Sequence, residues 1–103
     1  MQLHALAISL LIPGLAAAAA PQGAREAELR NMLVQDCGSC HGLTFKGGLG
    51  PALLPENLQD KPEGYLAATI LYGRPGTPMP PWGPFLTPDE ARWMAQLLKE
   101  GVK

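Results

Sequence analysis

The chain is short of most features that would point to a large catalytic scaffold. It has two cysteines and two histidines in 103 residues. No stretch alternates apolar and polar side chains with the period of a strand, so no sheet is expected. Both cysteines fall within one Cys-x-x-Cys, which leaves no further disulfide framework to draw. Charge is scarce as well. Charged residues make up 17% of the chain and the formal net charge is -1. That is too near zero to argue for nucleic acid or an anionic membrane surface as partner.

The first stretch lacks charge altogether: from Met1 to Ala24 no side chain is fully ionised. Leu3 to Leu15 is mostly apolar, broken by Ser9 and Pro13-Gly14, and the run Ala16 to Ala20 follows. An apolar core followed by small residues describes a secretory signal peptide. The reading is therefore a leader over residues 1–20, a functional domain over 21–103, and export to the periplasm. The cut site can fall anywhere from Ala16 to Gly23, because Pro21 disturbs the small-residue rule and no Lys or Arg precedes the apolar core. The rival is an uncleaved anchor, since about 18 apolar residues can just span a bilayer.

What remains is one domain of about 80 residues, a size at which a protein-only core is marginal and a covalent or metal staple is usual. Three helical stretches are predicted. The first runs from Ala24 to Asp36 with Leu29, Met32 and Leu33 as its stripe. The second runs from Pro62 to Tyr72, with Asp60 as N-cap, an inner face of Tyr65, Leu66, Thr69 and Ile70, and Gly73 as its stop. The third opens on the capping box Thr87-Pro88-Asp89-Glu90 and ends before Gly101, with Ala91, Met94, Leu97 and Leu98 on one face. Gly42 to Leu54 reads as loop, and Arg74 to Pro84 as a proline-rich extended segment. The expected fold is all-α, three main helices and loops wrapped around a cofactor.

That cofactor is read from Cys37-Gly38-Ser39-Cys40-His41. Two thiols separated by two residues can add to the two vinyl groups of one porphyrin, and the next imidazole then reaches the iron. A C-x-x-C-H run reads as c-type haem attachment. A redox-active dithiol also uses C-x-x-C, but normally beside a βαβ pattern that is missing here. A structural zinc needs about four ligands, and only three are at hand once His4 leaves with the leader. For the sixth iron position the candidates are Met32, Met79 and Met94. Met32 is too close to Cys37 on one helix, and Met94 sits in an apolar stripe where packing is the default role. Met79, between Pro78 and Pro80 in a stiff loop, is the favoured ligand. Pro51 can offer its carbonyl to the second ring nitrogen of His41, with Gly50 allowing close approach. Tyr65, Tyr72, Trp82 and Trp93 could line the haem or simply fill the core. Arg74 could pair with a propionate, and Lys46 could sit near the haem edge.

With Cys37-Gly-Ser-Cys-His41, Gly50-Pro51-Ala-Leu53 and Pro78-Met79-Pro80-Pro81 in this order, the chain resembles the class I monohaem cytochromes c from about residue 25 to its end. Longer phrases, Asp36 to Gly42, Gly47 to Leu53 and Gly73 to Trp82, are similar to those of the cytochromes c55X of bacterial denitrification. The resemblance implies crossed first and last helices and one covalent haem c. It makes Cys37 and Cys40 the thioether sites, His41 the proximal and Met79 the distal iron ligand, Pro51 the carbonyl partner of the histidine and Leu53 a residue packed on the ring. It implies a monomeric, non-enzymatic one-electron carrier. Its partners would be redox proteins such as cytochrome cd-type nitrite reductase or the machinery that matures haem d, with no membrane contact unless the leader is retained. The alternatives are a gas- or peroxide-reactive haem sensor or enzyme, and a dithiol-disulfide oxidoreductase.

Overall fold

The computed structural model describes residues 20–102, so the expected leader, except Ala20, lies outside the described residues. Within them the chain is helical and has no strand. Its elements are α1 (Gly23–Met32), a π turn (Leu33–Cys37), α2 (Gly38–His41), α3 (Pro55–Leu58), α4 (Glu63–Tyr72), a 3-10 turn (Gly83–Phe85) and α5 (Pro88–Glu100). The three expected helices are present as α1, α4 and α5. Among the described residues no helix is long and apolar enough to cross a membrane.

The first helix does not stop at Asp36. It loosens into the π turn, where the Gly38 amide bonds back to the Leu33 carbonyl, and then runs on as α2 to His41. A π turn carries more residues per turn than an α-helix and often sits at a functional site. Here it changes which residue follows Leu29 and Leu33, both fully buried, onto the core side. In a regular helix Asp36 or Cys37 would take that place. Instead Gly38 is buried, with room for its neighbour Leu43, while Cys37 stays half-buried.

The core is one cluster in which Leu29 and Leu33 meet Leu66, Ala67 and Ile70 of α4 and Ala91, Met94 and Leu98 of α5. Each large apolar side chain so buried contributes about 1.5–3 kcal/mol. Met94 is completely buried there, so its role is packing. Two expectations fail at α4. Asp60 is not its N-cap: the helix starts at Glu63, and Pro62, extended at ψ 143, occupies the cap without a side-chain bond. Pro55–Leu58 adds a short helix, opened by Pro55 at its first turn, and the end of the proline-rich segment tightens into the 3-10 turn. Tyr72 is 73% exposed and joins neither core nor cavity.

The capping box of α5 forms as expected. The Glu90 amide donates to Thr87 Oγ1 at 3.1 Å, and the Thr87 amide donates to Glu90 Oε1 at 2.9 Å. The same carboxylate holds α1, because Arg25 donates to its two oxygens at 2.5 and 3.0 Å and to the Phe85 carbonyl at 2.9 Å. The Arg25 hydrogen bonds, helped by the Thr87 amide, hold the Glu90 carboxyl down at about 2 from 4.5. A depressed carboxylate stabilises the fold fully above its unfolded pKa, and that stability is lost as pH falls from about 4.5 toward 2. Glu90→Gln is therefore less stable than the parent at neutral pH, and most of that gap is gone by pH 2.5. Denaturant unfolding of both proteins at the two pH values checks this; a gap that persists in acid refutes it.

Candidate functional site

The helix that carries Cys37, Cys40 and His41 opens onto a cavity of about 730 Å³. That is within the range of small-molecule and cofactor sites. The cavity is enclosed by the Asp36–His41 segment, the Leu49–Leu53 loop, one face of α4 and the Arg74–Trp82 loop. All six residues expected at the site, Cys37, Cys40, His41, Pro51, Leu53 and Met79, line it. So do Tyr65, Arg74 and Trp82, whereas Lys46, Tyr72 and Trp93 do not. Trp93 instead lies under the Arg30 guanidinium, 5.5 Å from its ring centre.

The His41 ring is held by the Leu49–Leu53 loop. Its Nδ1–H donates to the Pro51 carbonyl at 2.7 Å, which fixes the tautomer and leaves Nε2 as the free lone pair. Gly50 makes this possible, since a Cβ there would lie 2.7 Å from the ring atoms Cε1 and Nδ1. The loop is drawn onto the motif by two more bonds, from the Gly50 amide to the Cys40 carbonyl and from the Gly47 amide to the His41 carbonyl, both 2.8 Å.

Met79 enters the cavity from the far loop. That loop is closed by the Arg74 amide on the Met79 carbonyl at 3.2 Å. Thr77 pins it internally, its hydroxyl donating to the Arg74 carbonyl at 2.6 Å and accepting from the Met79 amide at 3.3 Å. The Trp82 amide then ties the exit of the loop to the Ile70 carbonyl of α4.

The donor set is two thiols, one oriented imidazole and one thioether around a single apolar space. That is the set a covalently held haem requires. The rival chemistries fare poorly on the same residues. Burial, with the Asp36 charge beside it, pushes the Cys37 thiol up to about 11, opposite to the lowered pKa of an active dithiol. Among the described residues no three His, Cys, Asp or Glu side chains converge as zinc ligands would. The part of the wall least visible beforehand is α3 and the approach to α4. Asn57, Leu58 and Lys61 reach the cavity, and no pattern in the sequence marked them.

Comparison with known proteins agrees. Residues 24–98 match the family model described as cytochrome c oxidase, cbb3-type, subunit III. Cytochrome c55X of Pseudomonas aeruginosa is 55% identical over 97 residues, which is 94% of this chain and 81% of that protein. The solved structure of the c-type cytochrome NirC superposes with a TM-score of 0.75 at 57% identity, covering 78% of this chain and 94% of the other. The dihydro-heme d1 dehydrogenase of P. aeruginosa is 43% identical over 79 residues, 77% of this chain but 15% of the enzyme. A cavity bearing the donors of a covalent haem, inside this fold and with these relatives, leads to one conclusion: the chain belongs to the class I cytochromes c, close to cytochrome c55X, whose cofactor is covalently attached haem c.

Proposed function

We propose that the chain is a periplasmic one-electron carrier in which Cys37 and Cys40 hold the haem by thioether bonds and His41 and Met79 ligate its iron. Its coarse part, a haem c electron carrier linked to denitrification, follows from the family. The finer part rests on one observation: the thiols, the free Nε2 of His41 and the Met79 thioether all front one cavity, with His41 already oriented by Pro51. Haem c, when bound, supplies a one-electron couple. The protein holds the imidazole in one tautomer through Pro51, excludes water with apolar walls that include Leu53 and Leu58, and offers a soft thioether that favours the reduced state.

Residues 1–20 would direct export and be removed, leaving 21–103 as a monomeric domain. Partners would meet it through a small transient interface, below about 1,200 Å². Cytochrome cd-type nitrite reductase is the proposed electron acceptor. The likeness to one segment of a dihydro-heme d1 dehydrogenase supports haem d maturation as the other use of the same electron.

The full chain, expressed in a host that attaches c-type haem, tests both levels. A haem-staining band on a denaturing gel, at the mass of 21–103 plus one haem, and a two-thioether pyridine haemochrome spectrum are expected. Unmodified thiols at Cys37 and Cys40 would overturn the reading. Stopped-flow oxidation of the reduced protein by purified cd-type nitrite reductase then tests the partner; no transfer at micromolar enzyme would remove it.

A further inference from the structure

Phe45 is the outlier of the backbone around the site. Among the described residues it is the one non-glycine with positive φ, at 60°, a conformation that bulky side chains avoid. It is nonetheless buried, 6% exposed, and it is the only buried side chain between Gly42 and Asn57. Its amide donates to the Gly42 carbonyl, and its carbonyl accepts the Leu53 amide, both at 2.9 Å. An unfavourable backbone state at a buried residue persists when its surroundings hold it, and such residues cluster at functional sites.

The connectivity shows what this anchor holds. Phe45 lies four residues after His41, and the amide bonded to its carbonyl lies two residues after Pro51. The remaining ties of the loop to the haem motif run through the amides of Gly47 and Gly50, which are the least restrained residues a chain can use. Without a core anchor those ties leave the Pro51 carbonyl free to shift relative to the imidazole.

We infer that Phe45 is a positioning residue: by plugging the Gly42–Ala52 loop into the core it sets the His41 Nδ1–H to Pro51 carbonyl bond, and through it the electron donation of His41 to the haem iron. The inference rests on the proposed role of His41 as iron ligand. A firm bond to Nδ1–H makes the imidazole more basic and favours ferric iron. Loosening it raises the midpoint potential.

The test uses the haem-loaded protein and its Phe45→Gly and Phe45→Leu variants. Glycine relieves the positive φ but removes the plug; leucine keeps an apolar plug of reduced size. Three quantities are read: the exchange of the His41 Nδ1–H with solvent by NMR of the hyperfine-shifted ring, the midpoint potential, and the thermal midpoint. Phe45→Gly is expected to exchange about tenfold faster, the loss of roughly one net hydrogen bond, with a higher potential. Phe45→Leu moves both in the same direction by less. A lowered thermal midpoint with unchanged exchange and potential makes Phe45 merely structural and overturns the inference. If Phe45→Gly yields no folded holoprotein, Phe45→Leu decides by the same criteria. A parent protein without hyperfine-shifted His41 signals overturns the ligand assignment itself, a result distinct from failure of the positioning role alone.

Discussion

Replacing Met79 by alanine leaves the haem covalently bound, lowers the midpoint potential on the order of 0.1 V and opens the iron to carbon monoxide. Attachment is assigned to Cys37 and Cys40, which lie on the segment Asp36–His41 and not on the Met79 loop, so the substitution leaves them untouched. The potential falls because a thioether favours ferrous iron, and axial ligands together command about 0.8 V. Access opens because no other candidate donor fronts the cavity from that loop: Met94 is buried in the core, and Met32 does not reach the cavity. The measurements are a spectroelectrochemical titration, the thioether-to-iron charge-transfer band, and carbon monoxide binding to the reduced protein. Retention of the band and the potential in Met79→Ala would remove Met79 as ligand. Rapid carbon monoxide binding by the parent would instead favour the sensor or enzyme alternative.

The second large effect is expected at a residue with no side chain. Gly73 ends α4 at φ 67 and ψ -169, a region that is essentially closed to other residues. A Cβ there would also meet the Met79 carbonyl oxygen and the Pro80 carbonyl carbon, both at 2.7 Å, and the Pro81 nitrogen at 2.8 Å. These are backbone atoms of the loop that carries Met79, so they cannot swing aside as a side-chain tip would. Strain of about 1–3 kcal/mol and overpacking of about 1–3 kcal/mol together make Gly73→Ala cost on the order of 3 kcal/mol. That is a large part of the roughly 5–15 kcal/mol available to a small domain. Gly76 is the internal control. It too has a positive φ, 79°, but a Cβ there meets nothing within 4 Å. Gly76→Ala should therefore cost the strain alone. Denaturant unfolding compares the two stabilities, and the charge-transfer band reports whether the Met79 loop has moved. Equal costs, with the band intact in both, would show that contact between Gly73 and the loop does not position Met79.

The site could be read from the chain to the extent that its chemistry is local. Cys37, Cys40 and His41 are covalent neighbours, so their spacing carries the meaning whatever the rest of the fold does. The capping box at Thr87 and Glu90, and the stripes Leu29–Leu33 and Met94–Leu98, obey periodicities of a single helix. Met79 stood out because prolines on both sides stiffen it. Each of these signals spans only a few residues.

What escaped the reading was decided by partners distant in the chain. The Arg25–Glu90 pair spans 65 positions, and nothing near either residue announces the other. The π turn depends on a compromise. Leu29 and Leu33 must face the core while Cys37, Cys40 and His41 face the cavity, and a regular helix cannot satisfy both. Asp60 had the chemistry of a cap, but the chain around Pro62 placed the helix start beyond it. Phe45 looked like an ordinary loop residue, because neither its positive φ nor its burial is marked by the residues beside it. The sequence by itself determined the donors, the cofactor they suit and the helices that carry them, since those depend on short-range geometry. Tertiary structure alone decided how the donors are aimed, because aiming depends on which distant surfaces must be buried together.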